Sequence, residues 1–139
     1  MKRIKMLLTV IAVIMLLSGC SFGAIEEQKT GDATYEIVRK EEIPEELKEE
    51  IKEAEKKEMW ISYADTGKEE KYLYVVRGYG MQQTTGYSIE VNACYETANT
   101  VVISTTLRGP EKKEKIHKKK TYPYIVIKMP YTEKQIVYE

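Results

Sequence analysis

The 139-residue sequence predicts an α+β fold: one N-terminal helix packed on a mainly antiparallel twisted β-sheet or small β-sandwich. Three observations predict it. Ile43, Leu47, Ile51 and Ala54 recur at helical spacing and give one narrow apolar stripe. After Lys57 the apolar period changes from 3.6 to 2 and stays there. The order is then one strand, one helix and a run of five or six strands, with no internal repeat.

Each element has its own reason. Thr34 to Arg39 alternates well enough for a first strand. Pro44 suits the first turn of a helix, and Glu45 and Glu46 sit at its positive end. The other helix faces are Glu and Lys, so only one side is expected to pack. Met59 to Ala64 and Lys71 to Arg77 read as strands around an Asp65-Thr66-Gly67-Lys68 turn, hence a hairpin. Tyr87 to Tyr95 alternates strictly, which puts Tyr87, Ile89, Val91, Ala93 and Tyr95 on one face and Cys94 on the other. A turn over Glu96 to Asn99 leads into a strand over Val101 to Leu107. Tyr122 to Met129 is a strand with Pro123 near its start, where a missing donor is tolerated. Gln135 to Tyr138 is expected as a short edge strand.

The N-terminus has a different character. Met1 to Lys5 is basic, Met6 to Leu17 is apolar except for Thr9, and small residues lead to Cys20. A basic region, a short apolar core and a small-residue cut site make a secretory signal. The apolar run is shorter than the ~20 residues a spanning helix needs. Leu17-Ser18-Gly19-Cys20 resembles the lipobox of bacterial lipoproteins. That resemblance implies a signal peptide over 1–19, with Cys20 as first mature residue carrying lipid through a thioether. Residues 20–32 then form a flexible tether and 33–139 a single domain. The expected location is the cell membrane, lipid-anchored on the extracytoplasmic face. With Cys20 acylated, Cys94 has no intramolecular partner and reads as a small buried residue.

The 22 Lys+Arg and 22 Asp+Glu cancel, which argues against a nucleic-acid binder driven by bulk charge. Loss of the signal removes Lys2, Arg3 and Lys5 and leaves 19 bases and 22 acids. Even that balance is local. Residues 25–58 hold 13 acids and 7 bases, whereas 108–120 hold 7 bases and 2 acids. The basic segment reads either as a long solvated hairpin loop or as a contact for anionic head groups or wall polymers through Lys118, Lys119 and Lys120. His117 is the only histidine, and it lies among lysines that repel a cation. No Cys or Asp/Glu cluster has ligand spacing, so no metal and no cofactor are expected. A triad would depend on His117 in a loop, and the paired helix carboxylates lie on a solvated face. The expectation is a non-enzyme.

Between two strands lies Gly78-Tyr79-Gly80-Met81-Gln82-Gln83-Thr84-Thr85-Gly86-Tyr87. Its spacing alone reads as a structured hairpin loop, with glycines for the tight turns. Thr84-Thr85-Gly86-Tyr87-Ser88-Ile89, then Gly109-Pro110, then Thr121-Tyr122-Pro123-Tyr124 with Lys128-Met129-Pro130, resembles the PrcB C-terminal domain from about Tyr72 to Pro130. The resemblance implies a non-enzymatic protein partner that stabilises or assembles a surface protease. Its partner-binding candidates are Thr84, Thr85, Gly86, Tyr87, Tyr122, Pro123 and Tyr124. Two departures stand out. Gln83 and Thr85 replace the Pro and first Gly of the family's loop, and His117 to Lys120 replaces its usual Thr-Gln-Ala-Leu. The Thr-Thr-Gly-Tyr segment is also similar to a loop of chagasin-type cysteine-protease inhibitors. That weaker similarity implies an inhibitor with Thr84, Thr85 and Gly86 at a protease cleft.

Overall fold

The computed structural model describes residues 28–139. The expected signal peptide, Cys20 and most of the expected tether lie outside these described residues. The chain runs β1 (Gly31–Asp32), β2 (Glu36–Ile37), a 3₁₀ turn (Lys40–Glu42) and α1 (Glu45–Ala54). It continues with β3 (Glu58–Asp65), β4 (Tyr72–Tyr79), β5 (Ser88–Glu96), β6 (Thr100–Arg108), β7 (Tyr124–Pro130) and β8 (Gln135–Tyr138). The strands form two sheets, ordered β1-β5-β6-β8 and β2-β7-β4-β3. All pairings are antiparallel except β6 with β8. The α+β expectation is met, and the sandwich rather than the single sheet is the form it takes.

Helix, sheet and sheet make three layers with β4 at the centre. On one face of the β2-β7-β4-β3 sheet, Leu47 and Ile51 of α1 meet Met59, Tyr74, Val76 and Val126. On the other face, Leu73, Val75 and Ile127 meet Cys94, Val101 and Ile103 of the second sheet. The alternation of β4 therefore serves two cores, and six consecutive residues, Leu73 to Gly78, are buried. Tyr74 belongs to the helix-side core at 6% exposure, so this tyrosine is packing and not a binding surface. Pro44 sits at the N-cap, one position before its expected place, and its carbonyl accepts from Lys48 N at 2.9 Å.

Three local expectations are corrected. Thr34 to Arg39 is not one strand. Gly31–Asp32 pairs with β5 of one sheet and Glu36–Ile37 with β7 of the other. The chain crosses between sheets here, so neither pairing extends beyond two residues. The alternation of β5 is also not strict. A bulge between Val91 and Ala93 breaks the register, so Val91 and Cys94, an odd and an even position, both reach the intersheet core. Finally, the β4–β5 and β6–β7 connections are not hairpins: each carries the chain from one sheet to the other.

Candidate functional site: two interlocked crossover loops

Both crossovers leave from the same end of the sandwich. β4 and β6 finish there, and β5 and β7 begin there. The two loops bond directly to one another. Gln82 N donates to Thr121 O at 2.8 Å, and Thr121 N donates back to Gln82 O at 3.0 Å. Thr85 N donates to His117 O at 3.1 Å, and His117 N donates to Thr85 Oγ1 at 2.9 Å. Thr121 Oγ1 donates to Thr84 O at 2.7 Å. The strand below is tied in as well, since Tyr79 N donates to Pro123 O at 3.2 Å.

Gly86 closes the interlock. Its φ of +91° lies in the left-handed region, and a Cβ there would come within 2.7 Å of Pro110 Cβ. The same atom would lie 3.4 Å from Ile116 Cγ2. The basic loop therefore rests directly on the glycine backbone. Thr85 and Gly86 thus act side by side in the loop: one supplies a donor and an acceptor, the other supplies room. Gly80, with φ +73°, starts the loop where a Cβ would crowd the Lys57–Glu58 backbone.

The structure unites two sets of residues that the sequence listed apart. Thr84, Thr85 and Gly86 touch the segment that contains Lys118, Lys119 and Lys120. Thr84 and Thr85 are half-buried, while Glu111 to Lys120 are all exposed. The tyrosines do not gather in the same way. Tyr87 is half-buried at the start of the β5 sheet, near Gly109. Tyr124 turns to the helix-side core, with Lys40 Nζ 5.1 Å from its ring centre, and burial raises its phenol pKa. Tyr122 and Pro123 are half-buried between them in sequence, and the Pro123 carbonyl holds β4. As for a free loop entering a protease cleft, the Thr85 amide and hydroxyl are already spent on His117.

Sequence reasoning missed two exposed apolar side chains on these loops, Met81 at 39% and Ile116 at 47%. The signal was present for Ile116, a lone aliphatic residue inside a lysine run. It also missed the cluster beneath the platform. Arg77 is only 6% exposed. Its guanidinium lies 4.1 Å from the Trp60 ring centre and 3.7 Å from that of Tyr79. Nη1 donates to Gly78 O at 2.7 Å and Nη2 to Glu58 at 2.5 Å, while Nε has no hydrogen-bond partner. Trp60 in turn stacks on Tyr138 with ring centres 3.9 Å apart, and Tyr79 OH is 2.7 Å from Thr105 Oγ1 in the opposite sheet. These contacts clamp the two sheets together below the loops.

His117 meets the loops through its backbone, and Cys94 is buried, its thiol pushed up to about 11, chiefly by burial. Among the described residues, no group of three His, Cys, Asp or Glu is placed to hold a metal. Among the same residues, no helix is long and apolar enough to cross a membrane.

Comparison with the curated proteins gives no match, nor does comparison with the solved structures. The family model described as PrcB C-terminal matches residues 73–130, the stretch from β4 through β7. That stretch contains both crossover loops and the central strand that divides the two cores. Residues 73–130 are thus similar to the PrcB C-terminal domain, which suggests involvement with a protease complex.

Proposed function

We propose that this protein is a lipid-anchored, extracytoplasmic, non-enzymatic binding module that stabilises or assembles a surface protease, with the 80–87 loop of the interlocked pair as its contact face. The observation that carries the reading is the coincidence of the family match with the platform. The matched stretch contains the Thr84-Thr85-Gly86 loop, the basic loop and their mutual hydrogen bonds. A rigid, two-loop surface with exposed Met81 and Gln83 suits a protein partner, because little loop entropy is lost on docking. Lipid on Cys20 is the anchor in this reading, supported by the Leu17-Ser18-Gly19-Cys20 sequence. Multiple acyl chains at ~0.8 kcal/mol per buried CH₂ hold such a protein on a bilayer.

The test is affinity recovery of the full-length protein from membranes of its own cells, with bound proteins identified by mass spectrometry. A surface protease is expected, with recovery reduced at least tenfold by Met81→Asp combined with Gln83→Lys. Both side chains are exposed, so these changes leave the fold intact. Enrichment of no protease, or recovery indifferent to both changes, overturns the reading. Incorporation of a labelled fatty acid, lost in Cys20→Ser, tests the anchor separately.

A further inference from the structure

We propose that the 109–121 loop is a membrane-docking element, in which lysines meet anionic lipid head groups and Ile116 enters the acyl boundary of the bilayer. Three observations carry this. First, the loop is an unneutralised cation cluster. Lys112, Lys113, Lys115, Lys118, Lys119 and Lys120 stand against Glu111 and Glu114, all exposed. Among the described residues none of these six lysines forms an ion pair, whereas neighbouring Arg108 is paired with Glu90. Second, the centre of the cluster is apolar. Ile116 is 47% exposed and flanked by Lys115 and His117. Third, Ile116 is held in place. Its neighbour His117 is bonded to Thr85 through both N and O, and Cγ2 of Ile116 lies against Gly86.

The combination selects the partner. A polyanionic wall polymer satisfies the lysines but offers Ile116 nothing. An anionic bilayer satisfies both, with charge at the head groups and hydrocarbon just beneath. Pinning matters because a fixed loop loses little conformational freedom when it docks. The inference does not rest on the protease reading, and its test fails or succeeds independently of it.

The experiment uses the segment 28–139, which contains both cores and every strand pairing described above. Cooperative thermal unfolding is confirmed first. Co-sedimentation is then measured with vesicles of phosphatidylcholine alone or mixed equally with phosphatidylglycerol. Binding to the anionic vesicles is expected, with little on the neutral ones. Neutralising Lys118, Lys119 and Lys120 to Gln should weaken it roughly 100-fold at low salt, about fivefold per cation. Ile116→Ser should weaken it about tenfold, at low and moderate salt alike. Ile116→Trp should bind and shift its emission to the blue on anionic vesicles only. Absence of any preference for anionic vesicles overturns the proposal. So does Ile116→Ser binding as tightly as the unaltered segment, which would leave a purely polyanionic contact such as a wall polymer.

Discussion

At the scale of single residues, burial decides which side chains are chemically available. Cys94 is the clearest case. At 7% exposure its thiol is pushed up to about 11, chiefly by burial, with the Glu96 charge adding to the effect. The folded protein should therefore resist iodoacetamide at pH 8, and label fast only once urea has unfolded it; equal rates would contradict the burial. The sign of the linkage follows from the same shift. The protonated thiol favours the fold fully below the unfolded thiol value, and that preference fades as pH rises towards 11. Arg77 is the opposite kind of residue, a buried charge held between two rings. Arg77→Ala removes both ring contacts and leaves a void, so a loss of about 2–4 kcal/mol is expected by urea unfolding. Arg77→Met fills the same slot without a charge to desolvate, and its Nε is unpartnered in any case. That variant should stay within about 1 kcal/mol of the parent. A Met variant as unstable as the Ala variant would show that the ion pair with Glu58, not packing, holds the site.

At the scale of elements, the two crossover loops stabilise each other. A long loop without strand or helix is ordinarily open to proteases. Here Thr85 and Gly86 fasten it, so both should control its cleavage. Thr85→Val deletes the acceptor for His117 N and should speed tryptic cleavage after Lys118 to Lys120, with a stability loss of about 1 kcal/mol. Gly86→Ala meets both an unfavourable φ and the Pro110 side chain. It should speed the same cleavage and cost about 1–3 kcal/mol. Unchanged cleavage in both variants would mean that the loops are not coupled. A bulky residue at Gly86 consequently reports on loop anchoring as much as on any partner contact, which is why Met81 and Gln83 are the better probes of docking.

At the scale of the whole molecule, β4 belongs to both cores, so the helix layer and the sandwich should unfold together. Leu47→Ala removes a fully buried side chain from the helix side and is expected to cost 2–5 kcal/mol. Trp60 sits on the other face of the sheet, stacked on Tyr138. Its fluorescence should nevertheless follow far-UV circular dichroism through urea unfolding, in the parent and in Leu47→Ala. Two separated transitions would show that the helix melts by itself. The molecule also has a polarity. The chain enters beside Glu96, where Thr30 N donates to Glu96 O, at the opposite end of β5 from the loops. A nine-residue strand is roughly 30 Å long, and the ten chain steps from Cys20 to Thr30 can span at most about 35 Å. A lipid on Cys20 and a docked basic loop are therefore compatible with a domain lying along the bilayer.

Sequence alone determined the features that depend on local order. The Ile43-Leu47-Ile51 stripe marked α1, and alternation with an Asp65-to-Lys68 turn marked the β3–β4 hairpin, because side-chain direction follows directly from backbone period. The loop motifs were legible too, since glycine and threonine patterns are written in consecutive residues. Tertiary structure decided what those patterns serve. Which strands share a sheet depends on pairings between distant residues, so the crossovers looked like hairpins. The Val91–Ala93 bulge exchanged the faces of β5, because one extra residue reverses the alternation of every residue after it. Arg77 looked like a strand-end charge until Trp60 and Tyr79 closed over it. Above all, Thr85 and His117 are 32 residues apart and meet only because two sheets bring their connecting loops to one end. The two candidate surfaces read separately along the chain are, for that reason, one surface.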